Sequence, residues 1–259
     1  MARFRLLIEY EGSRYHGWQT NTGVKTIQGE MLSACRQLFN TKKIEIYGAG
    51  RTDAGVHALG QVAHLDVPTQ MHPETIRERL NAVLPYDIHL LEAASCDPRF
   101  HARHSAIARS YVYVISRRRS AFGKRYVWWV KEDLSVAVMQ EAAAVLRGFH
   151  DFTSFGAKSG DDESTLAEII HLNIIESGNM IHLHVIGSHF LWMMVRRMTG
   201  VLVHCGKGKL TSQDIKGFLD TPSDRPSQLA APPSGLYLER VYYPGESFDF
   251  EPRVPIYIR

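Results

Sequence analysis

IEIYGAGRTDAGVHALGQVAHLDV, Ile44 to Val67, sets two runs of strand-forming residues, Ile44 to Tyr47 and Gln61 to Val67, on either side of a turn with glycines at 48, 50 and 55. Aliphatic and aromatic residues fit a pleated, half-buried surface, and glycine takes positive φ or lets backbone approach a ligand closely. The stretch therefore reads as strand, sharp loop, strand, with Asp53 at the tip of the loop. A dinucleotide fingerprint is excluded, because Gly48-x-Gly50 lacks the third glycine and puts Asp53 where a pyrophosphate would lie. On turn chemistry alone, an aspartate here is more often a turn former than a catalyst.

Upstream, Phe4 to Tyr10 reads as a strand closed by Glu11-Gly12-Ser13, and Thr26 is a candidate N-cap for a helix whose face is Ile27, Met31, Ala34, Cys35 and Leu38. Downstream, Pro73 opens a helix with Ile76, Leu80, Val83 and Leu84 on one face, Pro85 stops it, and Ile88 to Ala94 is a further strand. The second half continues in kind. Strands are expected at Ser110 to Ser116, Ile169 to Ile175, Ile181 to Ile186 and Leu236 to Tyr243. Helices are expected along Val136, Met139, Ala143 and Leu146, and from about His189. On the latter, Leu191, Met194, Val195, Met198, Leu202 and Cys205 form an apolar face, and His189, Met193, Arg196 and Gly200 another. This is an α+β pattern without a Pro- or Ser-rich linker, and a division into residues 1–104 and 105–259 is expected.

The 259 residues, 44% hydrophobic and 22% charged, are ordinary for a soluble globular enzyme. The net charge of +3 is a weak pointer to nucleic acid, but no Asp or Glu interrupts the segment from Arg99 to Arg125. Its basic residues, interleaved with Tyr111, Tyr113, Phe122 and Tyr126, fit RNA contact and a solvated hairpin loop equally. Cys35, Cys96 and Cys205 are scattered and odd in number, which suggests neither a disulfide framework nor a zinc cluster. His182 and His184 alternate on a strand, and nothing is spaced to complete a metal site with them. Gly206-Lys207-Gly208-Lys209 lacks the spacing of a phosphate loop. No signal peptide or membrane-spanning run is read, so a cytoplasmic protein without a membrane partner is expected.

Gly50-Arg51-Thr52-Asp53-Ala54-Gly55-Val56-His57 resembles the signature of the tRNA pseudouridine synthase A family. The resemblance extends in the family's order through Tyr15-His16-Gly17-Trp18-Gln19, Phe100-His101-Ala102-Arg103, Ala108-Arg109-Ser110-Tyr111-Val112-Tyr113, Asp151-Phe152-Thr153-Ser154-Phe155, Val195-Arg196 and Gly235-Leu236-Tyr237-Leu238. It covers essentially the whole chain.

The resemblance implies two similar ferredoxin- or RRM-like halves, joined as one extended, mainly antiparallel sheet with a central active-site cleft. It implies a homodimer that isomerises uridine to pseudouridine at positions 38, 39 and 40 of the tRNA anticodon stem-loop. By the same resemblance Asp53 is the nucleophile, Tyr111 stacks on the target base, and Arg51 fills the gap left by the displaced nucleotide. Arg196 is the neighbouring cation and Leu238 packs under the base. Periodicity alone fits Arg196 as a solvent-facing arginine, Tyr113 as well as Tyr111 for the ring, and Leu238 as a core leucine.

The reaction moves the ribose bond of uracil from N1 to C5 and exchanges no electrons, so no cofactor is expected. A carboxylate with a pKa near ~3.9 is already ionised at neutral pH, and a cation beside it serves aim and burial. Met193, Arg197 and Asn21 depart from the family's usual residues and bear on substrate positioning. Two rivals make opposite forecasts: a non-catalytic RNA-binding protein has a dispensable Asp53, and a nucleotide-dependent enzyme binds ATP or a dinucleotide at the Gly48 loop.

Overall fold

The computed structural model describes residues 1–157, 164–253 and 256. The chain folds as two compact units, Met1–Ile107 with Leu238–Ser247, and Ala108–Tyr237 with Phe248–Arg259. The architecture is mixed α+β and mainly antiparallel.

In the first unit, strand β1 (Ala2–Tyr10) is followed by helix α1 (Ile27–Phe39), β2 (Glu45–Gly48), β3 (His57–Val67), α2 (Pro73–Asn81) and β4 (Ile88–Ser95). β1 lies between β4 and β3, and β2 adds to the far edge of β3, giving the order 4-1-3-2 of a ferredoxin-like split βαβ unit. Alternation along β1 buries Phe4, Leu6, Ile8 and Tyr10 on one face. On the other face Arg3 holds Asp66 through Nε and Nη2 at 2.7 and 2.6 Å, a two-pronged bond across the register pair.

α1 forms where the periodicity predicts. Thr26 Oγ1 accepts from the Gly29 N–H, and the orphan N–H groups of Ile27 and Gln28 reach the carbonyls of Gly17 and Trp18 at 3.1 and 2.9 Å. The loop before the helix is thereby fixed to its N-terminus. α2 begins at Pro73 as expected but ends at Asn81, so Val83 and Leu84 fall in the turn that Pro85 follows.

The second unit is also built from strands and helices, in a longer succession. Strand β5 (Ala108–Ser116) and the short β6 (Trp128–Trp129) precede α3 (Val136–Val145), β7 (Gly148–Asp151), β8 (Leu166–Ser177), β9 (Met180–Gly187) and α4 (Met194–Gly206). Two further helices, α5 (Ser212–Asp220) and α6 (Arg225–Gln228), lead to β10 (Leu236–Tyr242), whose residues from Leu238 onward belong to the first unit. β9 lies between β5 and β8, β7 extends β8, and only β6, set beside β5, pairs parallel among the strand pairs described within either unit. β9 is buried along its whole length, including His182 and His184.

α4 starts at Met194 rather than near His189. Met193, at φ 62°, sits in the left-handed region before the first turn, and its side chain makes no cap bond. The periodicity runs through a residue that the backbone uses as a stop. At Gly200 a Cβ would lie 1.7 Å from the Leu229 carbonyl oxygen, so the missing side chain is what lets α4 approach the segment after α6.

Candidate active site

Residues 49–56 connect β2 to β3 and carry Asp53. Two bonds close the base of this loop: Ala49 N–H donates to Val62 O at 2.7 Å, and the Gln61 amide donates to Gly50 O at 3.0 Å. At the tip Val56 N–H returns to Asp53 O at 3.1 Å across a turn in which Gly55 takes φ 79°. Of the three loop glycines only Gly55 has this conformation; a Cβ at Gly48 would meet the Trp18 ring at 2.5 Å, and Gly50 has open space.

Further bonds fasten the loop to its surroundings. Thr52 is buried, with Oγ1 2.8 Å from the Tyr10 hydroxyl, and its carbonyl accepts Trp18 N–H at 3.1 Å. Gly55 N–H donates to Tyr15 O at 3.2 Å. His57 is buried and its Nδ1 accepts the Gly12 N–H at 3.0 Å. An accepting Nδ1 bears no proton, so the Glu11 carboxylate 3.7 Å away is a neighbour rather than an ion-pair partner. Asp53 is thus half-buried, between an exposed Arg51 and an exposed Ala54, on a loop fastened on both flanks.

Leu238 also lies in the first unit, fully buried in β10. Tyr111 and Arg196 belong to the second. Tyr111, 8% exposed on β5, meets Phe190 edge-on with ring centroids 5.1 Å apart. Tyr113 is fully enclosed, its hydroxyl donates to Pro232 O at 2.7 Å, and burial raises its phenol well above the ordinary range. Arg196 is half-buried near the start of α4: its Nε donates to Ala231 O at 2.7 Å, and its carbonyl accepts Ala231 N–H at 2.9 Å. Of the candidates, Asp53, Arg51 and Leu238 are brought into one unit, and Tyr111 and Arg196 into the other.

A family model described as "tRNA pseudouridine synthase" matches residues 6–105 and 142–244, which include the Asp53 loop, Arg196 and Leu238. The chain belongs to the tRNA pseudouridine synthase family. It is 40% identical over 248 residues to tRNA pseudouridine synthase A of Bartonella tribocorum, covering 94% of this chain and 100% of that one. It is 40% identical over 250 residues to the enzyme of that name from Rhodospirillum rubrum, covering 95% of this chain and 90% of the relative. It is 37% identical over 246 residues to the one from Geobacillus kaustophilus, covering 94% and 95%. A pseudouridine synthase acting on tRNA is an RNA-modifying isomerase, and that coarse activity follows from membership.

Sequence reasoning missed one polar group that is bonded to Tyr15, itself a partner of the loop. Asp87, in the turn after α2, is buried and accepts a hydrogen bond from the Tyr15 hydroxyl at 2.5 Å. The sequence offers only its proximity to Pro85, a helix-stop signal. The second unit adds a basic surface. Arg118, Arg119, Lys124 and Arg125 are exposed in the loop between β5 and β6, Phe122 among them is 93% exposed, and the Arg119 guanidinium lies 5.7 Å from the Trp129 ring centre.

Proposed function

We propose that this tRNA pseudouridine synthase isomerises uridines 38, 39 and 40 of the anticodon stem-loop, with Asp53 as the nucleophile and no cofactor. The observation that carries the reading is the Asp53 loop: a carboxylate on a turn whose backbone is bonded on both flanks, in a chain of this family. A reacting group held in one place lowers the barrier by removing the entropy of finding its target.

In the proposed reaction the carboxylate adds to the nucleoside, and the N1–C1′ bond breaks with its electron pair going to uracil. The base rotates, C5 bonds to C1′, and the carboxylate leaves. The proton on C5 passes to water and N1 takes one up, so nothing is oxidised or reduced. Tyr111 serves as the stacking ring, and its edge-on packing with Phe190 fixes the ring's orientation. Arg51, exposed beside Asp53, occupies the gap that a displaced uridine leaves. Arg196 is the cation that offsets the reacting carboxylate, with Nε committed to Ala231 O so that the guanidinium plane is set. Leu238 supports the base from the core. The basic loop between β5 and β6 follows tRNA phosphates, and the working form is a cytoplasmic homodimer.

The test is release of tritium from C5 of uridine in an unmodified tRNA transcript, without added cofactor. Release is expected from the wild-type protein and none from Asp53→Asn, with RNA binding retained by both. Binding without release in either protein would favour the non-catalytic RNA-binding reading, and release by Asp53→Asn would remove the nucleophile assignment.

A further inference from the structure

Asp87 stands one residue before β4, only 8% exposed. Its carboxylate accepts a hydrogen bond from the Tyr15 hydroxyl at 2.5 Å and another from Arg14 Nη1 at 3.4 Å, while its carbonyl accepts the Glu11 N–H at 2.9 Å. Tyr15 is buried as well, and burial together with the Asp87 bond pushes its phenol upward, which keeps it a donor. Burying a carboxylate costs several kcal/mol before its partners are counted. An apolar pair would close the same space without that cost, but apolar packing has no direction. A short O–H···O⁻ bond fixes one atom against another.

What is fixed leads to the reacting loop. Tyr15 O accepts the Gly55 N–H at 3.2 Å, and Trp18 N–H donates to Thr52 O at 3.1 Å, so residues 15–18 bond to the chain immediately before Asp53 and two residues after it. Gly17, at φ 84°, allows this approach, since a Cβ there would lie 2.3 Å from Thr52 O. The anchor at Asp87 therefore reaches Asp53 through one tyrosine and two backbone bonds.

We infer that Asp87 and Tyr15 form a positioning couple that sets the aim of the Asp53 carboxylate, acting on turnover rather than on RNA binding. The inference rests on Asp53 being the reacting group. Misplacement of a reacting group by an ångström is enough to cost about 100-fold in rate, so a partial shift of the loop has a measurable effect without unfolding anything.

The test measures kcat and KM for a tRNA transcript by tritium release, well below the unfolding midpoint of each variant. The set is Tyr15→Phe, Asp87→Ala, Asp87→Asn, the double variant Tyr15→Phe/Asp87→Ala, and Asp53→Asn. Tyr15→Phe and Asp87→Ala are expected to lower kcat about 10-fold with KM within about 2-fold of wild type. Asp87→Asn, which still offers an oxygen to the phenol, recovers most of the loss, and the double variant is no worse than the poorer single one. Wild-type kcat in variants that merely unfold earlier, multiplicative losses in the double variant, or a change in KM alone would overturn the couple. Should Asp87→Ala fail to fold, Tyr15→Phe, which removes a single oxygen, decides the matter. An inactive Asp53→Asn beside a fully active Tyr15→Phe sinks only the couple, whereas an active Asp53→Asn sinks the reading of Asp53 itself.

Discussion

Tyr111 and Tyr113 share a face of β5 and differ in what encloses them. Tyr113 has its hydroxyl on Pro232 O and its ring fully covered, so it is a structural tyrosine. Tyr113→Phe is expected to cost about 1–3 kcal/mol of stability by leaving that carbonyl unsatisfied, with kcat near wild type. Tyr111→Ala is expected to lower kcat for tRNA at least ~10-fold while the urea midpoint moves less than a ring deletion from a closed core would move it. Equal turnover in both variants would remove Tyr111 from the reaction. Two tyrosines at i and i+2 carry the same strand pattern, so the sequence does not separate them. The difference lies in Pro232, far along the chain from either. Met193 is the residue-scale counterpart on the stability side. At φ 62° a methionine is strained by roughly 1 kcal/mol, and Met193→Asn, which tolerates that conformation, should raise the unfolding free energy by about that much, read as a higher urea midpoint at unchanged m.

At the scale of elements, local signals are legible in the sequence and close approaches are not. The N-cap at Thr26, the proline start of α2, the alternation in β1 and the apolar runs of β5 and β9 are properties of a few neighbouring residues, and the structure has them where the pattern puts them. The start of β3 at His57, four residues before the apolar run, depends instead on pairing with β1 far along the chain, and the late start of α4 on a left-handed Met193 that periodicity does not reveal. Gly200 shows the same contrast in energetic terms. Helix propensity favours alanine over glycine by about 1 kcal/mol, but the new Cβ would lie 1.7 Å from Leu229 O, a backbone atom that cannot swing aside. Gly200→Ala is therefore expected to destabilise, by about 1–3 kcal/mol or more, and a raised unfolding midpoint would show the α4 approach to be slack. For the basic loop, each phosphate that a variant no longer neutralises lowers the slope of log K against log salt by about 0.9 at the charge density of a duplex. Replacing Arg118, Arg119, Lys124 and Arg125 with alanine should flatten the salt dependence of tRNA binding by several such steps. An unchanged slope would make the loop a solvated hairpin.

For the whole molecule, buried and half-buried histidines set how stability responds to acid. Burial pulls His64 down to about 4 and lowers His101 in the first unit, and it lowers His171 and His182 in the second. Each is neutral when folded and titrates near ~6.5 when unfolded, so the unfolded chain binds more protons below ~6.5. The stability they contribute is complete above that value and is lost as pH falls towards the folded values, near about 4 for His64. Urea midpoints are accordingly expected to drop between ~pH 7 and ~pH 5. His64→Asn, whose side-chain oxygen takes over the Ala102 N–H that Nδ1 now accepts at 3.1 Å, should shrink the drop. Composition tells none of this, because a count of 13 histidines does not say which are covered. The fold class and the sharp loop that carries Asp53 are legible because both rest on contiguous patterns, whereas the Asp87 contact is not, since its partner Tyr15 lies 72 positions away.

β10 adds a consequence in time. The first unit runs from Met1 to Ile107 and then takes up Leu238–Ser247, so its sheet waits for a strand that is translated about 130 residues after the rest. At a synthesis rate of about 5–20 residues per second, the wait is roughly 7–26 s. During that interval the part of β3 that β2 leaves uncovered is a nascent-chain hazard, a place where a chaperone has something to hold and a neighbouring ribosome's product has something to pair with.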